Sequence, residues 1–555
     1  MTNFNIGYKK LYKPFSNDLS NPKILDFVKK ILGNDRSFLY SVLIYSIIIS
    51  LLGVAVPISV QLLINSVSFT AMLQPIIVLG TILLALLIFS GVLNALQIYT
   101  VEIFQRRLLA SMSAKLCLRL LNADVKKLEE ANMPELINRF FDVITLQKTV
   151  PKFLVKTISF LLQTIVGLIL VSFYHPFFLL FSIIFAACLY AIFAIYFRKA
   201  CIAAFFESRR KYDIVASFED LASNLTMFKS QNGQDYAKFK VNELTKRYLS
   251  DRKDHFKNLF SQTILLLILY ALSSTLLLIL GGYLVLEGQL TVGQLVAAEL
   301  VLSAILYTMS QFGRDFENMY DLIAACEKLS IFFNLPLKEE KSNKPKINNF
   351  SEIHLHNISN TQDKNNLIDL KILSGKRYLL HEKCQYKQKF LINSLLDFDR
   401  PTLGEIKIDG KNLYSYNMAD FRDKVKIIDN APLLEGTLLE NLTLGRQDIE
   451  KGRINKILQD LGLEESINRF SEKLDLRIIP TGWPLNEEEV VLIKITRALI
   501  FDAKIIIANE ILDIINFDLR QNILKYIVEN SNATIIYFSN HKDDDMKIFD
   551  QIIEI

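Results

Sequence analysis

Apolar residues along the first 330 positions fall into six long blocks, and the connections between them alternate between short and long. The blocks cover about 38–64, 74–98, 152–174, 177–197, 259–286 and 292–312, each near the ~20 residues a helix needs to cross a bilayer. Three connections, after the first, third and fifth blocks, are short and lack Lys and Arg. The other two, roughly 99–150 and 198–258, are long and rich in both. The positive-inside rule then puts both long connections, both chain ends and everything after 313 on the cytoplasmic side. Helical spacing runs on beyond the blocks, as in Ile103, Leu108, Met112, Leu116, Leu120 and Leu121. Long helices that leave the bilayer and reverse in short turns are therefore expected. The turn candidates are Ala131-Asn132-Met133-Pro134, where Pro134 suits a helix start, and the region around 213–219.

Ahead of the first block, residues 1–36 carry six lysines, with Ile24, Leu25, Phe27, Val28, Ile31 and Leu32 at helical spacing. This reads as an amphipathic helix on the cytoplasmic membrane surface or as a solvated tail. Inside the blocks, Gln61, Asn65, Gln97 and Gln163 either line a pathway or hydrogen-bond between packed helices.

Composition supports a membrane part followed by a soluble part. Hydrophobic residues make up 51% of the chain and mean hydropathy is +0.26, with the surplus in the first 330 residues. The net charge of +5 is small and its basic residues sit in loops, which points to membrane topology and away from nucleic acid. Cys117, Cys188, Cys201, Cys326 and Cys384 are scattered, without metal-type spacing and without a disulfide framework, so no metal site is expected. No signal-peptide pattern opens the chain.

Residues 314–346 have a linker composition, ending in a Lys- and Pro-rich stretch at 338–346. From 347 to 555, short β-rich runs alternate with helical ones, the pattern of an α/β domain. Within it, apolar 378–380, a polar loop and apolar 390–396 give the strand–loop–helix order in which a P-loop cradles phosphates with backbone N–H groups. The loop itself departs from G-x-x-x-x-G-K-[ST]. Glu382 and Lys387 stand at the glycine positions, Gln388 at the lysine and Lys389 at the hydroxyl.

Gly281-Gly282-Tyr283-Leu284-Val285-Leu286-Glu287-Gly288-Gln289-Leu290-Thr291-Val292-Gly293-Gln294-Leu295-Val296-Ala297 resembles the turn between the fifth and sixth helices of ATP-binding-cassette (ABC) exporters. It is most similar to those of the bacterial toxin and bacteriocin secretion group. The stretch from Ala55 to Ile64 resembles the end of their first helix, and six spans with two long cytoplasmic loops is their half-transporter layout. In the second half, Pro401 to Gly410 resembles the strand pair after the P-loop helix, Gly436 to Leu442 the stretch beyond the Q-loop, and Thr496-Arg497-Ala498-Leu499 the helix after the signature motif. The resemblance implies an all-α six-helix transmembrane domain over 37–313 followed by an α/β P-loop-type nucleotide-binding domain over 347–555.

It also assigns roles to positions. The signature Leu-Ser-Gly-Gly-Gln becomes Leu485-Asn486-Glu487-Glu488-Glu489, placing three carboxylates where two glycines let backbone approach a γ-phosphate. The Mg²⁺-supporting Asp of Walker B is Asn509, and the carboxylate that polarises water is retained as Glu510. Asp429 stands at the Q-loop glutamine and Asn540 at the switch histidine, with His541 one place later. An adenine-stacking aromatic has no equivalent between Asn357 and Leu367. Glu510 then serves as a catalytic residue without its site, as a helix cap, or as a solvated acid. Lys383, Lys387 and Lys389 form a solvated loop or bind another anion. ATP and Mg²⁺, the family's cofactors, are not expected to bind tightly.

The expectation is a lipid-embedded, multi-pass subunit of a bacterial inner membrane with both termini cytoplasmic. It would act as a pseudo-ATPase half, as homodimer or as heterodimer with another ABC half-transporter, or within a larger secretion complex. An ATP-independent homodimeric scaffold or sensor, and an active exporter with unusual motifs, stand as alternatives.

Overall fold

The computed structural model describes residues 36–69, 73–130, 140–333, 337–338, 344–360, 367–381, 385–539 and 548–554. The expected N-terminal amphipathic helix and the turn candidate at 131–134 lie outside them. The chain divides into two units, Met1–Ala123 with Lys127–Leu337, and Asp124–Lys126 with Lys338–Ile555.

The first unit is helical. Its first apolar block forms two helices, α1 (Arg36–Leu52) and α2 (Ala55–Phe69), separated by a turn at Gly53 and Val54. Pro57 sits in the first turn of α2, where its missing N–H costs nothing, so the chain restarts a helix there. The helices α3 (Leu73–Leu121), α4 (Phe140–Ser172), α5 (Pro176–Ser223), α6 (Gln231–Leu286) and α7 (Val292–Phe333) follow. Among the described residues five helical stretches are long and apolar enough to cross a bilayer: Tyr40–Ser68, Leu73–Leu121, Phe140–Ser172, Pro176–Ser223 and Gln231–Leu286. The sixth apolar block is the shorter stretch Val292–Ile305 at the start of α7. Outward faces of α3, α5 and α6 leave Ile82, Leu84, Ile88, Ile183, Leu276 and Ile279 exposed, as lipid contact requires.

The 56 residues of α6 span about 84 Å, well over twice the ~30 Å hydrocarbon core. The turn expected around 213–219 is not there. Instead α5 continues to Ser223, and the reversal runs through Asn224 to Ser230. Asp213 is held helical by its bond from Arg210 (3.2 Å), which also reaches Asp251 across on α6 (3.1 Å). Ser230 accepts the Gly233 N–H and so caps α6.

Polar side chains in the apolar blocks bond between helices. The Gln97 amide donates to Ser46 (2.8 Å), Tyr174 to Gln61 (2.6 Å) and Thr308 to Gln163 (3.1 Å). Gly293 packs so closely on α2 that a Cβ would lie 2.6 Å from Asn65 Oδ1 and 2.7 Å from the Gln61 carbonyl oxygen. Beyond the apolar blocks on α5 and α6, Glu207 is buried with His255 at 2.6 Å, Arg252 at 3.3 Å and Lys211 at 3.6 Å. Burial pushes this carboxyl up, but the His255 hydrogen bond and the charges of Lys211, Arg252 and His255 outweigh it and hold it at about 2.

The second unit stacks two sheets around a helix. Strands β1 (Glu352–Ser359) and β2 (Ile368–Leu373) lead to β3 (Arg377–His381) and α8 (Gln385–Leu395), then to β4 (Leu403–Ile408) and β5 (Lys411–Asn412). Next come α9 (Met418–Lys424), β6 (Val425–Ile428), β7 (Gly436–Thr437) and α10 (Leu438–Thr443). After α11 (Lys451–Asp460), α12 (Leu463–Asn468) and β8 (Arg477–Ile478) the chain forms α13 (Glu487–Ile500) and β9 (Ile505–Ala508). It ends through α14 (Phe517–Asn530), β10 (Thr534–Phe538) and β11 (Gln551–Glu554). One of these two sheets is antiparallel, in the order β2-β1-β4-β5, and the other is parallel, in the order β11-β3-β10-β9-β6, while β7 and β8 form a separate antiparallel pair.

Residues of the parallel strands alternate between two cores. Tyr378, Leu380, Ile536 and Phe538 face α8 and the antiparallel sheet, while Leu379, Ile535 and Tyr537 face α13 and α14. Burial on both faces is why these strands read as unbroken apolar runs.

Two outcomes test this packing. Gly293→Ala should destabilise the detergent-solubilised protein by about 1–3 kcal/mol in thermal unfolding, whereas Gly282→Ala, with nothing within 4 Å of its Cβ, should not. Glu207, depressed in the folded state, contributes about 3 kcal/mol that is complete above its ordinary value of 4.5 and is lost as pH falls toward 2. The midpoint of unfolding should accordingly fall less steeply between about pH 5 and 3 in Glu207→Gln than in the parent protein.

Candidate functional site

Parallel strands expose their C-terminal ends to the loops that follow, and in open α/β sheets ligands bind there. β3, β9 and β10 end together, bringing α8, Asn509–Glu510 and Ser539 to one edge. Glu382 and Asn540, expected on this edge, lie outside the described residues, as do Lys383 and His541. Lys387 and Gln388 close the first turn of α8 and Lys389 opens the second. Lys389 is exposed and Lys387 half-buried, but Gln388 is 5% exposed. Its amide Nε2 donates to Glu510 Oε1 at 3.0 Å.

That bond gives half-buried Glu510 a side-chain partner, and Glu510 is not the helix cap. The cap is Asn509, whose Oδ1 accepts the Ile511 N–H at 3.1 Å and starts a turn of 3₁₀ helix, Glu510–Ile514. Asp429 also bonds to its own loop, accepting the Ala431 N–H at 3.1 Å, while its backbone carbonyl accepts from Lys494 Nζ at 2.6 Å. Burial pushes the Lys494 ammonium and the Arg497 guanidinium down from their ordinary values.

Sequence reasoning missed Asp513. Its carboxylate accepts hydrogen bonds from the Tyr537 hydroxyl and from Ser539 Oγ at 3.2 Å, with Arg520 at 3.4 Å. Nothing in the local spacing marks it, because its partners come from β10 and α14. Burial, then Asp513, pushes the Tyr537 phenol up.

The three carboxylates at the start of α13 do not act alike. Asn486 and Glu489 form a capping box, Asn486 Oδ1 accepting the Glu489 N–H at 2.8 Å and Glu489 Oε2 accepting the Asn486 N–H at 2.9 Å. Glu489 is 4% exposed and also takes a 2.7 Å hydrogen bond from Arg469. It therefore faces its own helix, and only exposed Glu487 and half-buried Glu488 remain at the rim. The N-x-x-E spacing could have flagged this box in the sequence. Among the described residues, no group of three or more His, Cys, Asp or Glu side chains could hold a metal ion.

Residues 39–309 match the ABC transporter transmembrane region. An uncharacterised ABC transporter ATP-binding protein of Bacillus subtilis is 23% identical over 60% of this chain and 54% of its own length. A probable ABC transporter ATP-binding/permease protein of Haemophilus influenzae is 23% identical over 43% of this chain and 44% of its own. The chain thus spans about half the length of the curated relatives it matches. In structure, a bacterial Atm1-family ABC exporter with ATP bound superposes with a TM-score of 0.77 at 16% identity, covering 94% of this chain and 93% of the other.

Removing Arg469 should leave the buried Glu489 carboxylate with its backbone bond from Asn486 but no countercharge. Arg469→Ala is expected to cost about 1–3 kcal/mol, read through the fluorescence of Trp483, the chain's single tryptophan. Glu487→Ala, at an exposed position, should cost under about 1 kcal/mol.

Proposed function

We propose, for a chain that carries an ABC transporter transmembrane region within an ABC exporter fold, that it is a membrane exporter subunit whose C-terminal unit hydrolyses no ATP of its own. The hydrogen bond from Gln388 to Glu510 carries this reading. By resemblance these are the positions of the phosphate-binding lysine and the water-polarising carboxylate, and here they bond to each other. Phosphoryl transfer depends almost wholly on positioning and charge stabilisation. Gln388 is neutral, Lys389 brings no hydroxyl, and Asn509 brings no negative charge and turns its side-chain oxygen to a backbone N–H. These residues do not fit a magnesium nucleotide.

The other end of the arrangement supports the same reading. In the family two nucleotide-binding domains face head to tail, each nucleotide lying between one domain's Walker motifs and the other's signature. Glu487 and Glu488 put negative charge at the α13 N-terminus, where an approaching phosphate would be repelled. Both composite sites of a dimer would then be impaired on this chain's side. The protein acts in export or secretion as a pseudo-ATPase half, paired with itself or with another ABC half-transporter, or as a component of a larger complex. Six spans, cytoplasmic termini and a bacterial inner membrane belong to the same reading.

Equilibrium ATP binding to the purified full-length protein in detergent, with and without Mg²⁺, tests it. The expected result is no saturable binding at millimolar nucleotide and no turnover. Saturable Mg²⁺-dependent binding, with turnover that Glu510→Gln abolishes, would sink the reading in favour of an active exporter. Stable self-association without nucleotide or a partner half would move it to an ATP-independent scaffold.

A further inference from the structure

The cysteines carry no metal-type spacing, but two of the chain's six histidines stand two positions apart on one strand. Along β1, Ile353 and Leu355 are in the core, so His354 and His356 share the outer face of the antiparallel sheet. Their ring centroids are 5.4 Å apart, with the planes at 78°. The same face carries Glu352 on β1, Asp369 and Lys371 on β2, and Glu405 and Lys407 on β4.

The charges on this face are sorted into pairs. Lys371 meets Glu352 at 2.6 Å, and Lys407 meets Glu405. Asp369 is left to a histidine, with His354 Nε2 at 3.1 Å from its Oδ1. The His356 ring nitrogens form no hydrogen bond among the described residues.

A solvated sheet face asks only for polar residues, yet this pair has three features of a chelate. Two imidazoles bound to one ion at about 2.1 Å hold their centroids roughly 5 Å apart, close to the separation of His354 and His356. Asp369 can only accept, so the proton of neutral His354 sits on Nε2 and the lone pair on Nδ1. A carboxylate behind an imidazole is the arrangement that orients metal-bound histidines. Finally, three carboxylates face two lysines, and the charge left over, on Asp369, favours a cation. Imidazole nitrogen selects the zinc, nickel and copper dications, whereas Mg²⁺ and Ca²⁺ prefer oxygen. Two protein ligands, with Glu405 held by Lys407, leave the remaining positions to water and make the site exchangeable.

We propose that His354 and His356, with Asp369 orienting His354, chelate a transition-metal dication on the outer face of the antiparallel sheet. The site goes beyond the pseudo-ATPase reading and does not rest on it, because binding is measured without nucleotide.

The test is titration of Ni²⁺ and Cu²⁺ into chelator-stripped, full-length protein in detergent, prepared without a histidine tag. The parent protein should show a saturable site that binds Cu²⁺ more tightly than Ni²⁺ and that about a hundredfold excess of Mg²⁺ does not displace. His354→Gln and His356→Gln should each weaken Ni²⁺ at least about tenfold, and Asp369→Asn about tenfold. Electron paramagnetic resonance of bound Cu²⁺ should show two coupled nitrogens in the parent protein and one fewer in either histidine variant. Neither ring belongs to the core, so the metal-free variants should unfold at the parent's midpoint. Absence of a saturable site in the parent protein overturns the proposal. So does Ni²⁺ affinity or nitrogen coupling that is the same in the parent protein and His356→Gln.

Discussion

Hydrocarbon offers backbone groups no hydrogen bonds, and that constraint governs the first unit throughout. Every apolar block becomes a helix because only a helix satisfies its own N–H and C=O groups. Apart from the break at Gly53 and Val54 inside the first block, the long helices end where their last turns can be capped or wetted. This is why α3, α5 and α6 run for 49, 48 and 56 residues and reverse well outside the apolar blocks. The same scarcity acts on side chains, and Gln97, Gln61 and Gln163 each bond a neighbouring helix. Close approach follows where a side chain is missing altogether, as at Gly293 against Asn65 and Gly167 against Val301.

In the second unit the corresponding pressure comes from the two apolar cores that clamp the parallel sheet. Side chains at the strand ends are half-buried or buried, so their polar atoms need partners. Gln388 bonds Glu510, Asn509 caps the turn after β9, Lys494 bonds the Asp429 carbonyl, and Asp513 gathers Tyr537, Ser539 and Arg520. Each is a local solution to desolvation, and together they leave a strand edge whose polar groups are largely committed to one another. The buried Glu207 among His255, Arg252 and Lys211 is the same solution in charged form.

Much of the helical layout was legible in the hydropathy pattern, because a block of some twenty apolar residues has few alternatives. Its interruption at Gly53 and Val54 was less so, although Pro57 four residues on was a signal. The reversal of α5 was misplaced. The polar residues of 213–219 look like a turn in isolation, yet the pairing of Arg210 with Asp213 and Asp251 keeps them helical. The apolar runs of β3, β9 and β10 were equally plain, since strands buried on both faces show no alternation.

What the sequence determined by itself was the division into an apolar helical part and an α/β part, and the identities of the residues at each chemically important position. Those follow from local composition and periodicity, which need no partner. What only the tertiary structure decided was where each polar group points. Three consecutive glutamates at one helix start look equivalent in sequence, but Glu489 turns inward to Asn486 and Arg469 while Glu487 stays in solvent. Glu510 reads as a retained catalytic acid until α8 brings Gln388 to it across 122 positions of chain. The reason is that a side chain's role is fixed by the partner that meets its desolvation cost, and that partner is set by which elements the folded cores bring together.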